Sequence, residues 1–462
     1  MVIIMIKSKQ QILDAANSAA EKCRLISSCC NDECGLGDYS SLVRRDADGR
    51  EIWTDALRRA VSEHNTVVIP PRDLPYYIDG QIVLSSLTRI VAHGATIIQT
   101  PDCKLLMLRN ASAADGTHKP VSGRRAFGIF IGGGRGEESR TRRGGYGTSG
   151  MFDESRSFFG VSSLFYFSNL DCLSIIGATF AHTAGFAVQV GDVSDCVFED
   201  ISFDSCYADG LHINGGTKRC LCRNISGEVG DDLVALNAYD WQNSSVNFGK
   251  IEDVWCENLD LAESSPYKAM RLETGIYRYD DASRVDCAID GAVIRHVRGI
   301  RTFKLYFQTP RYKIGETPEW GEVGSASSLY FDDVTVDLAA PLDGFDEYTK
   351  SDPVRGSFAA FELGANIGLL SLENIDLKLY QDKFPYSYLV CCGPKSVRVG
   401  EYEIFDPYLS SETKRLVMQG IIVNGLRINS TDDLVREIEF YDVNCDGNST
   451  GRGKIDTIEL KV

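Results

Sequence analysis

The chain has 462 residues, 43% of them hydrophobic and 24% charged, with a formal net charge of −17. That balance is the one of an ordinary folded protein, and its sign argues against nucleic acid or an anionic membrane surface as a general partner. No apolar run approaches the roughly 18 residues of a membrane-spanning helix.

The N-terminus reads MVIIMIKSKQ. Its apolar run is six residues long and then meets Lys7 and Lys9. No basic segment precedes the run and no small-residue cleavage site follows it, so the chain is expected to be cytoplasmic. Fifteen cysteines, an odd number, fit that expectation, because free thiols in a reducing compartment behave as small core residues. Cys29, Cys30 and Cys34 lack CxxC spacing and a nearby histidine, so they are not read as a metal site, and no metal or other cofactor is expected.

Residues 1–45 read as an extension of helix plus loop. An amphipathic helix follows from Glu51 to about His64, with Trp53, Ala56, Leu57, Ala60 and Val61 on one face. VVIPP, YYIDGQIVL, TRIVAHG and ATIIQT then form short strands separated by turns. A helix before a run of short strands is what the open first coil of a β-solenoid needs as a cover. Residues 46–462 are read as that solenoid, with the helix at 51–64 as its cap.

The centre of the chain repeats itself. Cys172, Cys196 and Cys220 are evenly spaced, with an offset of 24, inside DCLSIIGATF, DCVFEDISF and RCLCRNISG. Each is followed by a second short strand, GFAVQV, DGLHIN or DDLVALN. A period in the twenties with two or more strands per repeat is the mark of a solenoid coil, and equal spacing predicts one inward stack of the three cysteines. Looser repeats follow: IEDVWCENLDL, AVIRHVRGIR, LYFDDVTVDL, LLSLENIDLKL and GIIVNGLRIN. Repeat arithmetic gives a stack of roughly ten coils. Asp200, Asn224, Asn258, Asp333 and Asn374 each stand before an aliphatic residue, where Asx side chains tolerate the left-handed backbone of a sharp corner. Polar stretches at 308–326 and 340–357 read as rim loops, and the Gly- and Arg-rich segment 123–147 as a tight turn plus a basic loop.

Chemistry concentrates where two consecutive coils align. YADGLHIN laid over GDDLVALN with an offset of 22 places Asp209 over Asp231 and puts Asp232 at the site of Gly210. Neighbouring strands are about 4.8 Å apart, so three carboxylates crowd one patch. Crowding raises at least one pKa and yields a protonated acid beside an ionised base, the pair that glycoside hydrolysis needs. The competing reading is a solvated turn or a calcium site, since Asp-Gly and Gly-Asp are common turn pairs.

The cap, the coils and ADGLHI…GDDLVAL resemble the pectin-lyase-like superfamily, and within it the polygalacturonase-like glycoside hydrolases of family 28. The fold resemblance covers about 46–430, whereas the motif resemblance is confined to the stretch from Tyr207 to Glu273. It implies a single-stranded right-handed parallel β-helix with an N-terminal helical cap. It also implies inverting hydrolysis, with Asp232 as general acid and Asp209 and Asp231 holding or deprotonating the water. Tyr207 and Ala208 replace the first two residues of the family's N-T-D strand. The family's Gly-His-Gly coil is replaced by SSVNFGK, and its Arg-x-Lys strand by Arg271-Leu272-Glu273. Glu273 would repel a uronate and accept hydrogen bonds from sugar hydroxyls, which points to a neutral sugar.

Around the aspartates, His212 is placed outward beside Asp209 and stands in for the missing histidine. Alternation puts Arg271 and Glu273 on one face, preceded by Lys268, with Met270 and Leu272 inward. Tyr239 and Trp241 follow the aspartate pair and are placed to stack on a sugar ring; a packed turn is the alternative for both. The expected partner is a carbohydrate substrate. Two other readings stay open: a polysaccharide lyase using calcium, and a non-catalytic carbohydrate-binding solenoid.

Overall fold

The computed structural model describes residues 6–103, 105–114, 125–138, 163–240, 245–278, 283–307, 312–313, 323–339, 358–382, 387–392, 397–399, 402–404, 410–437 and 453–461. They form a right-handed parallel β-helix. Its strands stack coil on coil in parallel register, and each coil presents up to three faces.

One inward column runs the length of the stack. It passes from Cys34 through Val67, Ile90, Ile131, Ile175 and Phe198 to Cys222, then through Cys256 and Ile294 to Phe331, Leu372, Met418 and Leu460. That is thirteen rungs among the described residues, more than the roughly ten expected from repeat arithmetic. The early coils are short strands that the cysteine period did not reach.

The cysteine stack holds for two of its three members. Cys196 pairs with Cys220 as the period requires, but its partner on the other side is Leu173, the residue after Cys172. Cys172 has a left-handed backbone, φ 65°, and joins a second apolar cluster with Cys23. The equal spacing therefore hid a one-residue change of offset, which in a strand swaps the inward and outward faces. GIIVNGLRIN joins the stack only through its first strand, where Ile422 and Val423 pair in parallel with Asp376 and Leu377. Ile422–Val423 and Leu426–Arg427 pair antiparallel around Asn424 and Gly425, both with positive φ.

Asp200, Asn224, Asn258, Asp333 and Asn374 have φ between 52° and 58°, as a left-handed corner requires. They run up one edge as a ladder in which Asn224 Nδ2 donates to Asp200 Oδ1 at 2.7 Å and Asn258 Nδ2 to Asn224 Oδ1 at 2.8 Å.

Two helices near the N-terminus dress this frame. Helix α1, Lys9–Ser27, opens on a Ser8–Gln11 capping box. It packs Ile12, Ala16 and Cys23 onto the outer side of one face, against Val197, Leu221, Trp255 and Val293. Lys7, Lys9 and Lys22 tie this segment to Asp253, Glu373 and Asp195. Helix α2, Thr54–Glu63, turns Ala56, Leu57, Ala60 and Val61 into the first coils, as a cap should. Glu51 and Ile52, expected in the helix, are a short strand instead. Solenoid pairing begins before residue 45: Glu33–Gly35 pairs in parallel with Thr66–Val68. The rim loops expected at 308–326 and 340–357 fall mostly outside the described residues, although Ser325 and Ala326 already belong to a strand. Of 123–147, the described part forms two strands, Ala126–Gly132 and Arg135–Glu138.

Candidate active site

The site forms where two coils enter adjacent strands, Leu211–Asn214 and Val234–Asn237. Leu211 pairs with Val234, His212 with Ala235 and Ile213 with Leu236. The offset is thus 23, not the 22 that matched Leu211 to Leu233 by identity. The burial pattern explains the choice. With 23, Leu211 and Ile213 lie over Val234 and Leu236 in the core column, and His212 stays on the outer side. Gly210 allows this approach, since a Cβ there would sit 2.4 Å from the Phe203 ring and 2.7 Å from the Leu233 carbonyl oxygen.

Asp209, Asp231 and Asp232 occupy the turns just before these strands. One carboxylate oxygen from each lies within 4.8 Å of the others, and the three residues are 0%, 3% and 0% exposed. The Asp232 backbone N–H donates to Asp209 Oδ1 at 3.2 Å. Arg271, in the strand Ala269–Tyr277, brings its guanidinium to the pair: Nη2 is 3.0 Å from Asp231 Oδ1 and Nη1 is 3.2 Å from Asp232 Oδ2. The two carboxylates therefore face one cation. Both residues lie in a turn, where the strict alternation of a strand does not apply, and both side chains reach the same guanidinium.

Burial pushes the Asp231 carboxyl up to about 6; Arg271 opposes the shift and Asp209 adds to it. Burial holds Asp232 well above the usual carboxylate range, again against Arg271, with Asp231, Asp209 and Glu273 adding to the rise. Neither oxygen of Asp232 accepts a hydrogen bond among the described residues.

His212 lies beside Asp209 as expected, with Nδ1 2.5 Å from Asp209 Oδ2, but it is buried rather than solvated. Burial works against the charged ring, yet hydrogen bonds with Asp209 and Asp240 carry its pKa up to about 10. Glu273 is fully buried next to Arg271, with Oε1 3.8 Å from Nε, while Met270 and Leu272 join the core as alternation requires. Lys268 turns to Glu263 instead of the aspartates: its Nζ is 2.8 Å from both the side chain and the carbonyl oxygen of Glu263. Tyr239 is not an open platform. It packs against Phe248 and Tyr277, and burial raises its phenol to about 12. Trp241 lies outside the described residues.

Three groups were missed. Lys304 pairs in register with Arg271 from the next coil. Its signal was a lysine alternating with Phe303 and Leu305 in an apolar strand, but the coil there is longer than the cysteine period, and no spacing in the sequence announces it. Asp240 touches His212 from the turn beyond Val234–Asn237, and Phe186 stacks on the ring. An open groove lined by His182, Ser205, Tyr207, Glu228 and Pro266 runs across the turns that lead into the site.

No family model matches this sequence, and no curated protein matches it. Among solved structures, it is similar to endo-xylogalacturonan hydrolase from Aspergillus tubingensis at 14% identity and a TM-score of 0.45, covering 85% of this chain and 92% of that one. It is similar to the catalytic domain of GH87 α-1,3-glucanase in complex with nigerose at 12% identity and a TM-score of 0.40, over 80% and 64%. It is also similar to the Streptococcus pneumoniae surface protein and adhesin PfbA at 10% identity and a TM-score of 0.38, over 93% and 98%. Two are named as hydrolases or glucanases and one as an adhesin; at these values the likeness says nothing of this chain's chemistry.

Proposed function

We propose that this chain is a glycoside hydrolase acting on an oligo- or polysaccharide through its aspartate cluster. The observation that carries the reading is Asp232. It is fully buried, holds its proton well above the usual carboxylate range, and stands beside a second carboxyl that titrates at about 6. Two carboxyls with separated pKa values in one site are the requirement for acid and base roles at neutral pH. Asp232 protonates the leaving oxygen, Asp231 and Asp209 hold and deprotonate the water, and Arg271 fixes the pair. Glu273 accepts hydrogen bonds from sugar hydroxyls, which favours a neutral sugar at the cleavage site. Direct attack by a water that Asp231 and Asp209 activate would invert the anomeric centre, so the anomeric configuration of the first product tests this assignment. The test is a panel of neutral and acidic oligosaccharides incubated with wild type and Asp232→Asn, read as new reducing ends. Cleavage lost in the variant supports the reading; no cleavage of any member by wild type overturns it.

A second reading has its own observation. Three carboxylate oxygens within 4.8 Å of one another could hold a divalent cation. A lyase would use that ion to acidify a uronate and Arg271 as base. It requires an unsaturated product and loss of activity with chelator. A hydrolase gives neither.

A further inference from the structure

The His212 ring is clamped between two carboxylates. Its Nδ1 is 2.5 Å from Asp209 Oδ2 and its Nε2 is 3.2 Å from Asp240 Oδ2. Phe186 stacks on it with centroids 4.0 Å apart and planes 9° apart. His212, Asp209 and Asp240 are 1%, 0% and 5% exposed. Asp240 is itself held by the Asn237 side-chain amide, 3.1 Å away.

Asn214 also comes near, with Nδ2 3.2 Å from His212 Nε2. Its amide is oriented by its oxygen, which accepts from Gln189 Nε2 and from the Val246 N–H, both at 3.1 Å. The ring has two options. A neutral ring would use Nε2 to accept from Asn214, and a charged ring would use Nε2–H to donate to Asp240. Two carboxylates at a buried imidazole favour the charged form. Among the described residues, the titratable groups in contact with the ring are Asp209 from the turn before it and Asp240 from the next coil. Asp231, Asp232 and Arg271 lie beyond Asp209. The other oxygen of Asp209 then matters, because Oδ1 accepts the Asp232 backbone N–H.

We propose that Asp240 is a positioning residue for the aspartate cluster: through His212 it fixes the Asp209 carboxylate, and through Asp209 the backbone of Asp232. This rests on the reading of the cluster as the reacting groups. Asp240 does not need to touch substrate. An Asp240–His212–Asp209 row makes a rigid support on which the acid and the water-holding carboxylates keep their spacing.

The experiment uses the full chain labelled with isotopic histidine, with His212 ring signals assigned by their loss in His212→Gln. Wild type is expected to show protons on both ring nitrogens at about pH 8, well above the ordinary histidine range. Asp240→Asn is expected to lose the Nε2 proton, and Asp240→Glu to keep it. Circular dichroism and melting check that each variant folds. On the oligosaccharide that wild type cleaves fastest, Asp240→Asn is expected to lower kcat by about tenfold or more with KM nearly unchanged, and Asp240→Glu to recover most of it. A neutral ring in wild type, or an Asp240→Asn variant with wild-type kcat, overturns the inference. A doubly protonated ring in a wild type that cleaves no glycoside overturns the hydrolase reading instead, and the positioning role falls with it.

Discussion

Lys304 stands in register with Arg271 one coil further along, and both cations sit over the ring of Tyr267, at 5.1 Å and 4.8 Å from its centroid. Both oppose the burial that raises Asp231, Arg271 by contact and Lys304 by charge. Removing either cation should let the Asp231 carboxyl rise further. If Asp231 must be ionised to hold water, the acid limb of kcat/KM lies near 6 in wild type. Arg271→Met should move that limb to higher pH, and Lys304→Met should move it the same way by less. A pH–rate profile of the three proteins checks this. A shift downward, or a larger one for Lys304→Met, would rule out the assignment of Asp231.

The same carboxyl has a stability signature. Asp231 titrates at about 6 in the folded chain against an ordinary 3.8. Between those values the folded chain keeps a proton that the unfolded chain has lost. Stability therefore falls as pH rises from the lower value to the upper, and stays reduced above it. A rise of this size corresponds to about 3 kcal/mol as an upper figure. Asp231→Asn should thus be more stable than wild type at about pH 8, with the gain shrinking toward pH 4. Urea midpoints at both pH values measure it. A gain of equal size at both, or a loss at the higher pH, contradicts the burial argument.

Asp232 makes the most direct prediction about chemistry. Replacing a general acid costs about 10²–10⁴ in rate where the leaving oxygen needs the proton. An aryl leaving group needs little protonation. Asp232→Asn should therefore lose that factor on a natural oligosaccharide and far less on the matching aryl glycoside. Equal losses on both substrates would mean that Asp232 is not the acid.

The solenoid was legible because its corners and core columns write themselves into the sequence. Asx residues at left-handed corners, and aliphatic residues inward on each strand, are demanded by the backbone itself. The aspartates were legible for the same reason, since they sit at the mouths of strands whose alternation is clear. The register between coils was not. Leu211 matches Leu233 by residue identity, but packing selects Val234, and Cys172 drops out of its stack through a single residue of offset. Lys304 and Asp240 were invisible for a related reason. Lys304 comes to Arg271 across a coil longer than the cysteine period, and Asp240 reaches His212 from a turn, where no period applies. Lys268 and Tyr239 were placed by sequence neighbourhood alone, and each finds a nearer partner, Glu263 for the one and Phe248 for the other.

The corner ladder gives a prediction about the fold that does not depend on function. Asn224 has φ 56°, donates to Asp200 and accepts from Asn258. A left-handed backbone costs an ordinary L-residue about 1–2 kcal/mol, while asparagine tolerates it and glycine adopts it freely. Asn224→Ala loses both ladder contacts and adds the backbone strain. Asn224→Gly loses the contacts but not the backbone fit. The expected order of stability is wild type, then Asn224→Gly, then Asn224→Ala, with about 1 kcal/mol between the two variants. This reverses the usual order in a strand interior, where alanine is better than glycine by about 0.5–1 kcal/mol. Urea denaturation of the three proteins decides it. If Asn224→Ala proves as stable as Asn224→Gly, the residue is not held left-handed in solution, and the corner turns by some other geometry.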